Sequence, residues 1–249
     1  MKMTWTVAAL VGLSVVALPA AAAPVAGDLA FVAINADEDG FALASFVDLT
    51  AGTQLFVTDN EWNGSMLGAG GAFTSGEGVL SWTLGSAVSA GTVVRFSAVD
   101  SAANIAVSHG AVSRSGGFAL SQTNESVYLY QDDGAGGVIP LAAIGYGSGF
   151  ADELAGSGLE GQAVMLSGTV KFAEFGGDRS LVSSVAAHAA AVADVGQWTK
   201  LSSGDTSAMA PDLTGFAMAA PVPEPSGYAM LLAGLGMVSV IARRRTGQR

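Results

Sequence analysis

The side chains best suited to chemistry in this sequence are carboxylates arranged in short clusters. Asn35-x-Asp37-x-Asp39-Gly40 reproduces the first half of a calcium loop, in which alternate oxygen ligands wrap the ion and Gly allows a sharp turn. The twelfth position of such a loop is Phe46, where a bidentate Glu belongs, and the segment links strands rather than helices. Asn35, Asp37 and Asp39 are therefore either a partial calcium site or an acidic turn. Asp59, Asn60 and Glu61 beside Trp62 suit a metal, or a sugar stacked on the indole; a strand-ending turn with a core Trp is the competing reading. Asp132 and Asp133 before Gly134 have the composition of a hairpin turn. Calcium is the one cofactor these patterns suggest.

Other chemistries lack their residues. With no cysteine, the chain has no thiolate nucleophile, thiolate metal ligand or disulfide. Its two histidines, His109 and His188, are not accompanied by a G-x-S-x-G elbow. His188 falls on an apolar helical stripe and reads as a hydrogen-bonded core residue. A glycosidase needs only two carboxylates, so a hydrolase of extracellular polysaccharide stays open as the alternative to a non-catalytic binding or structural body. Between the two ends of the chain, five basic residues face twenty acids, a balance of −15. Such a surface repels phosphate backbones, so no nucleic-acid partner is expected.

The elements that must position these groups are mostly strands. Short β-rich runs recur at roughly ten-residue spacing, separated by Gly, Asp and Asn turns: 29–34, 41–49, 55–58, 79–84, 93–99, 127–131 and 138–146. This pattern predicts an all-β sandwich or barrel. Tyr128 and Tyr130 alternate with Val127 and Leu129, giving one strand an aromatic face. One helix is predicted near the end, where Leu181, Val185, His188 and Val192 form a stripe and Ser183 and Ser184 can cap its start. Trp198 is expected to anchor the end of a domain spanning 23–201, and 202–221 has the small, polar, Pro-containing character of a linker.

The two ends read as addresses. Lys2, the apolar run Val7 to Leu18 and the small residues Ala20 to Ala23 predict a signal peptide over 1–22, cut between Ala22 and Ala23. At the other end Val222-Pro223-Glu224-Pro225-Ser226 precedes the uncharged apolar run Gly227 to Ala242, closed by Arg243, Arg244 and Arg245. That run predicts a C-terminal transmembrane helix with the Arg cluster on the cytoplasmic side. The signal peptide demands the same orientation.

This three-part tail, residues 222–249, closely resembles the PEP-CTERM sorting signal of Gram-negative bacteria. The resemblance implies that Pro223, Glu224 and Pro225 are recognised by an exosortase, a membrane-embedded cysteine peptidase. It further implies that the helix anchors the chain transiently in the inner membrane, that Arg243 to Arg245 stop transfer, and that the product reaches the cell surface or an exopolysaccharide-rich biofilm matrix. In the body, Phe46-Val47-Asp48-Leu49, Ala51-Gly52-Thr53, Thr58 to Trp62, Ser126 to Tyr130 and Ile144-Gly145-Tyr146 look like lamin-tail-type domains of secreted bacterial proteins. That likeness implies an immunoglobulin-like β-sandwich used for binding or structure.

Overall fold

The computed structural model describes residues 22–63 and 73–220, together with 234, 235, 237 and 238. The expected signal peptide, apart from Ala22, and nearly all of the expected sorting tail lie outside them. Among the described residues no helix is long and apolar enough to cross a membrane.

Among the described residues twelve strands form two six-stranded sheets. They are β1 (Leu29–Asn35), β2 (Gly40–Ser45), β3 (Gln54–Thr58), β4 (Gly78–Thr83), β5 (Val93–Ser97), β6 (Ala106–Val107), β7 (Ala111–Gly116), β8 (Glu125–Asp132), β9 (Val138–Tyr146), β10 (Val164–Met165), β11 (Phe172–Phe175) and β12 (Trp198–Leu201). The first sheet runs β12-β11-β1-β2-β5-β6, the second β10-β9-β8-β3-β4-β7. All pairings are antiparallel except β9 with β10. One apolar core draws on both sheets, and Trp82 of β4 meets Phe96 of β5 edge-on at 5.2 Å.

Alternation explains which sheet faces are buried. In β4, Gly78, Leu80 and Trp82 are buried while Val79, Ser81 and Thr83 face outward, and the neighbouring edge strand β7 is largely exposed. β1 and β2 are buried along their whole length, as central strands covered on both faces must be. The aromatic side of β8 is covered by α1 (Phe150–Glu153) and the loop after it: Tyr128 packs with Trp62, Phe150, Leu154 and Leu159 in a second apolar cluster.

The predicted helix is α2 (Val185–Ala193), capped by Ser184, whose hydroxyl accepts from the Ala187 N–H. His188 and Val192 are buried on its inner face. His188 Nε2 lies 3.0 Å from the Ala217 carbonyl oxygen, and its ring stacks on Phe46. Leu181 does not join this stripe. It precedes the cap, in a loop, and stays 63 % exposed. Trp198 donates from Nε1 to the Val192 carbonyl at 2.8 Å, tying β12 to the helix end.

The stretch 202–220 contains no helix and no named strand, yet it is fastened along the body. Asn35 Nδ2 donates to the carbonyls of Thr206 and Met209, at 2.8 and 3.0 Å. Arg179, only 6 % exposed, donates to the carbonyls of Asp212 and Thr214 and lies 5.2 Å over the Phe216 ring. Phe216 is buried against Phe46, Phe175 and His188. Its N–H donates to the carbonyl of Gly91, which has φ +87° and where a Cβ would collide with the Phe216 carbonyl oxygen. Linker-like composition thus forms a strap here, because its small residues and free backbone groups can lie against the sheet.

Candidate functional site

Two acidic groupings and the strap leading to the tail are the candidates. Asn35 ends β1, and Asp37 and Asp39 sit in the turn between β1 and β2. Asn35 Oδ1 caps the turn, accepting from the N–H groups of Asp37 and Glu38. The Asp37 carboxylate receives Lys171 Nζ at 3.1 Å on both oxygens, the Thr206 N–H and hydroxyl, and Gln122 Nε2. These bonds, led by that from the Thr206 N–H, hold its pKa below the ordinary value. Asp39 adopts φ +54°, which a short polar side chain tolerates, and accepts from the Leu120 N–H at 2.6 Å. Asp37 and Asp39 therefore bond to different segments, and Asp37 is occupied by a protein cation. Among the described residues no three His, Asp or Glu side chains converge as a metal shell.

This arrangement makes a direct prediction. Asp37→Ala should lower stability by about 2 kcal/mol, since it removes the acceptor of the buried Thr206 N–H and hydroxyl and the counter-charge of the half-buried Lys171, and the loss should be equal in calcium and in a chelator. A melting temperature that rises saturably with calcium, and does so only with Asp37 present, would instead mark a calcium site.

The second grouping is a cavity of about 160 Å³ lined by Asp59, Glu61, Glu77, Ser121, Asn124, Glu125, Ser126 and Glu153. Four segments meet there: the end of β3, the approach to β4, the start of β8, and α1. The turn after β3 is built by side chains. Thr58 Oγ1 donates to the Gly78 carbonyl, Asn60 Nδ2 donates to Thr58 Oγ1, and Asn60 Oδ1 accepts the Glu77 N–H. Asp59 is buried, with one oxygen accepting the Gly78 N–H at 2.8 Å and the other the Ala119 N–H at 2.9 Å.

Among the described residues no basic side chain lines this cavity, so its acids are held against their own charge. Burial raises the Glu125 pKa to about 8, with Asp59 and Glu77 adding repulsion, although its oxygens accept the Ser121 and Ser126 N–H groups. Burial also raises Asp59, and raises Glu77 with help from Asp59, Glu61 and Glu153. Chemically this is a proton-retaining pocket: at neutral pH it keeps a proton on Glu125.

The structure thus brings Asp59 and Glu61 together but separates Trp62 from ligand reach. Glu61 accepts from the Thr74 hydroxyl, whereas Trp62 is 4 % exposed and packs edge-on against Phe73 at 5.3 Å. A sugar-stacking indole needs an open face, and this one is covered. Glu77, Glu125 and Glu153 were not legible from the sequence as partners of Asp59. The pairing of β3 with β4 brings Glu77 near, that of β3 with β8 brings Glu125, and α1 carries Glu153. Asp132 and Asp133 are hairpin residues, accepting from the N–H groups of Gly134, Ala135 and Gly137.

The sorting residues Pro223, Glu224, Pro225 and Arg243 to Arg245 lie outside the described residues. The strap that feeds them does not. Its last rungs are Ala217 N–H to the Arg179 carbonyl, Ser183 N–H to the Ala217 carbonyl and Ala219 N–H to the Ser183 carbonyl, at 2.8, 3.2 and 2.8 Å.

Comparison with known proteins finds one family model, the PEP-CTERM protein-sorting motif, matching residues 221–245. No curated protein and no solved structure matches the chain. The motif supports an exported protein that passes through the membrane and is processed by an exosortase-type membrane enzyme.

Proposed function

We propose that this chain is an exported cell-surface or extracellular-matrix protein, delivered by an exosortase-type system, whose two-sheet body serves in binding or structure without catalysis. The observation that carries it is the sorting motif at 221–245, placed directly after a folded body. The body's two mainly antiparallel sheets, sharing one large apolar core, support the reading of an immunoglobulin-like, lamin-tail-type sandwich, and exopolysaccharide is the partner that the sorting route suggests.

The test is processing in a bacterium that carries an exosortase. Replacing Pro223, Glu224 and Pro225 with Ala should leave the precursor in the membrane, with at least about tenfold less mature protein released. Equal release from the triple variant sinks the sorting reading.

The secreted-hydrolase reading has one observation in its favour, since Glu125 retains a proton beside Asp59 as a general acid would. Two facts count against it. Both oxygens of Asp59 are taken by backbone N–H groups. The cavity is also about 160 Å³, whereas small-molecule sites usually span about 300–1,000 Å³.

A further inference from the structure

We infer that the acidic cavity between the end of β3 and the start of β8 is a binding site for one alkylammonium group, carried by a free amine or by a lysine side chain. This rests on the binding role proposed above and names a ligand class for it. Five carboxylates line the cavity, those of Asp59, Glu61, Glu77, Glu125 and Glu153. Among the described residues none of the five forms an ion pair. A group of a different kind lies between them. Ser126 is 3 % exposed and lines the cavity, and its hydroxyl has no hydrogen-bond partner among the described residues. Alternation along β8 puts Ser126 on the same side as Tyr128, facing the acids rather than the main core. A buried hydroxyl without a partner is costly, and a ligand that donates a hydrogen bond to it removes that cost.

Charge, geometry and size select the ligand. Negative charge without a counter-ion calls for a cation. Among the described residues no three acids converge as a metal shell. An ammonium group instead directs three separate N–H donors to oxygens about 2.8 Å away, so two carboxylates and the Ser126 oxygen can share it. A space of about 160 Å³ admits such a group on a slender stem, whereas larger ligands occupy about 300 Å³ or more. The chain shows this chemistry once already: Lys171 Nζ sits 3.1 Å from both Asp37 oxygens and 2.9 Å from the Gly204 carbonyl. There the chain supplies its own ammonium. In the cavity no described residue does. An incoming cation also favours the ionised form of Glu125, which burial, Asp59 and Glu77 disfavour, so binding displaces the proton. The groups that bear on Glu125 are Asp59 and Glu61 after β3, Glu77 before β4 and Glu153 on α1. To these are added the Tyr146 phenol of β9, raised by burial and by Glu125, and Arg114 of β7, which attracts Asp59 from outside the cavity.

The experiment titrates the full chain with n-butylammonium chloride by calorimetry at pH 6 and pH 8, in two buffers of different ionisation enthalpy. The amine keeps its charge throughout, since a lysine-type amine titrates near about 10.4. Saturable one-to-one binding is expected, at least about tenfold tighter at pH 8, with proton release at pH 6. Ser126→Ala should weaken binding at least about threefold, and Glu125→Gln should remove both the proton release and the pH dependence, melting curves confirming that each variant is folded. A short lysine-bearing peptide that matches butylammonium assigns the site to lysine side chains; one that fails to compete with it assigns the site to free amines. Absence of saturable binding up to about 50 mM butylammonium overturns the inference. So does tetramethylammonium, which has no N–H donor, binding equally well, or calcium binding through Glu125 and Ser126 with no competition from butylammonium. The sorting reading stands or falls separately, on release of the Pro223, Glu224 and Pro225 variant.

Discussion

Stability of this protein is expected to be greatest in mildly acidic solution and to fall as pH rises toward 9, the reverse of what acid-sensitive proteins show. The cause is Glu125, whose pKa in the folded protein is about 8 against 4.5 when free. Because the folded value is raised, the folded state binds a proton that the unfolded state gives up. The stabilisation is complete below pH 4.5 and is lost as pH climbs through about 8. Asp39, Asp59 and Glu77 are raised as well and act in the same direction. Asp37, Asp178, Asp205 and Asp212 are lowered and act oppositely, but their window lies below the ordinary Asp value of 3.8. After discounting for the partial exposure of Glu125, the swing is about 2–4 kcal/mol. Glu125→Gln keeps the shape without the titration, so its melting temperature should vary far less between pH 5 and 9. Natural protein whose melting temperature holds steady or climbs over that range would refute the charge-crowded cavity.

Replacing Arg179 with Ala should cost about 3–4 kcal/mol and free the strap. The guanidinium is buried and serves three carbonyls, those of Phe175, Asp212 and Thr214. It also lies over two aromatic rings and 3.7 Å from a carboxylate oxygen of Asp212. Losing it strands carbonyl groups and opens a void beside Phe216. Arg179→Lys should recover only part of the loss, because one ammonium on a flexible stem cannot span the fork of acceptors that the guanidinium spans. Thermal melts and limited proteolysis separate the outcomes. A loss under about 1 kcal/mol, with no new cleavage in 202–220, would mean that the strap is held without Arg179.

These two experiments probe features that differ in how legible they were. The strands and their turns follow from local pattern: alternation in 79–83 places Leu80 and Trp82 inside, and Asp133 with Gly134 and Gly137 closes the β8–β9 hairpin. Ser184 as a cap and His188 as a core residue were equally readable, because capping and helical periodicity act within a few residues. Leu181 misled, since a matching position on a helical wheel says nothing about whether the helix has already begun. The strap misled further. Small and Pro-containing residues describe a segment unable to build its own core, but not whether another core accepts it.

What the sequence by itself determined is what needs only neighbours along the chain: a mostly β body of short turn-linked strands, one capped helix near its end and a C-terminal sorting tail, which the family model matches over 221–245. What only the tertiary structure decided is what depends on strand order. Setting β8 and β4 on either side of β3, with α1 laid over β8, gathers carboxylates from positions 59, 77, 125 and 153 into one cavity. Folding 202–220 back gives Asn35 and Asp37 protein partners near position 206 and gives Arg179 its carbonyls. Local signals arise from the backbone geometry of a few consecutive residues. Charge crowding and burial arise from distances in space, which one sequence without its fold does not contain.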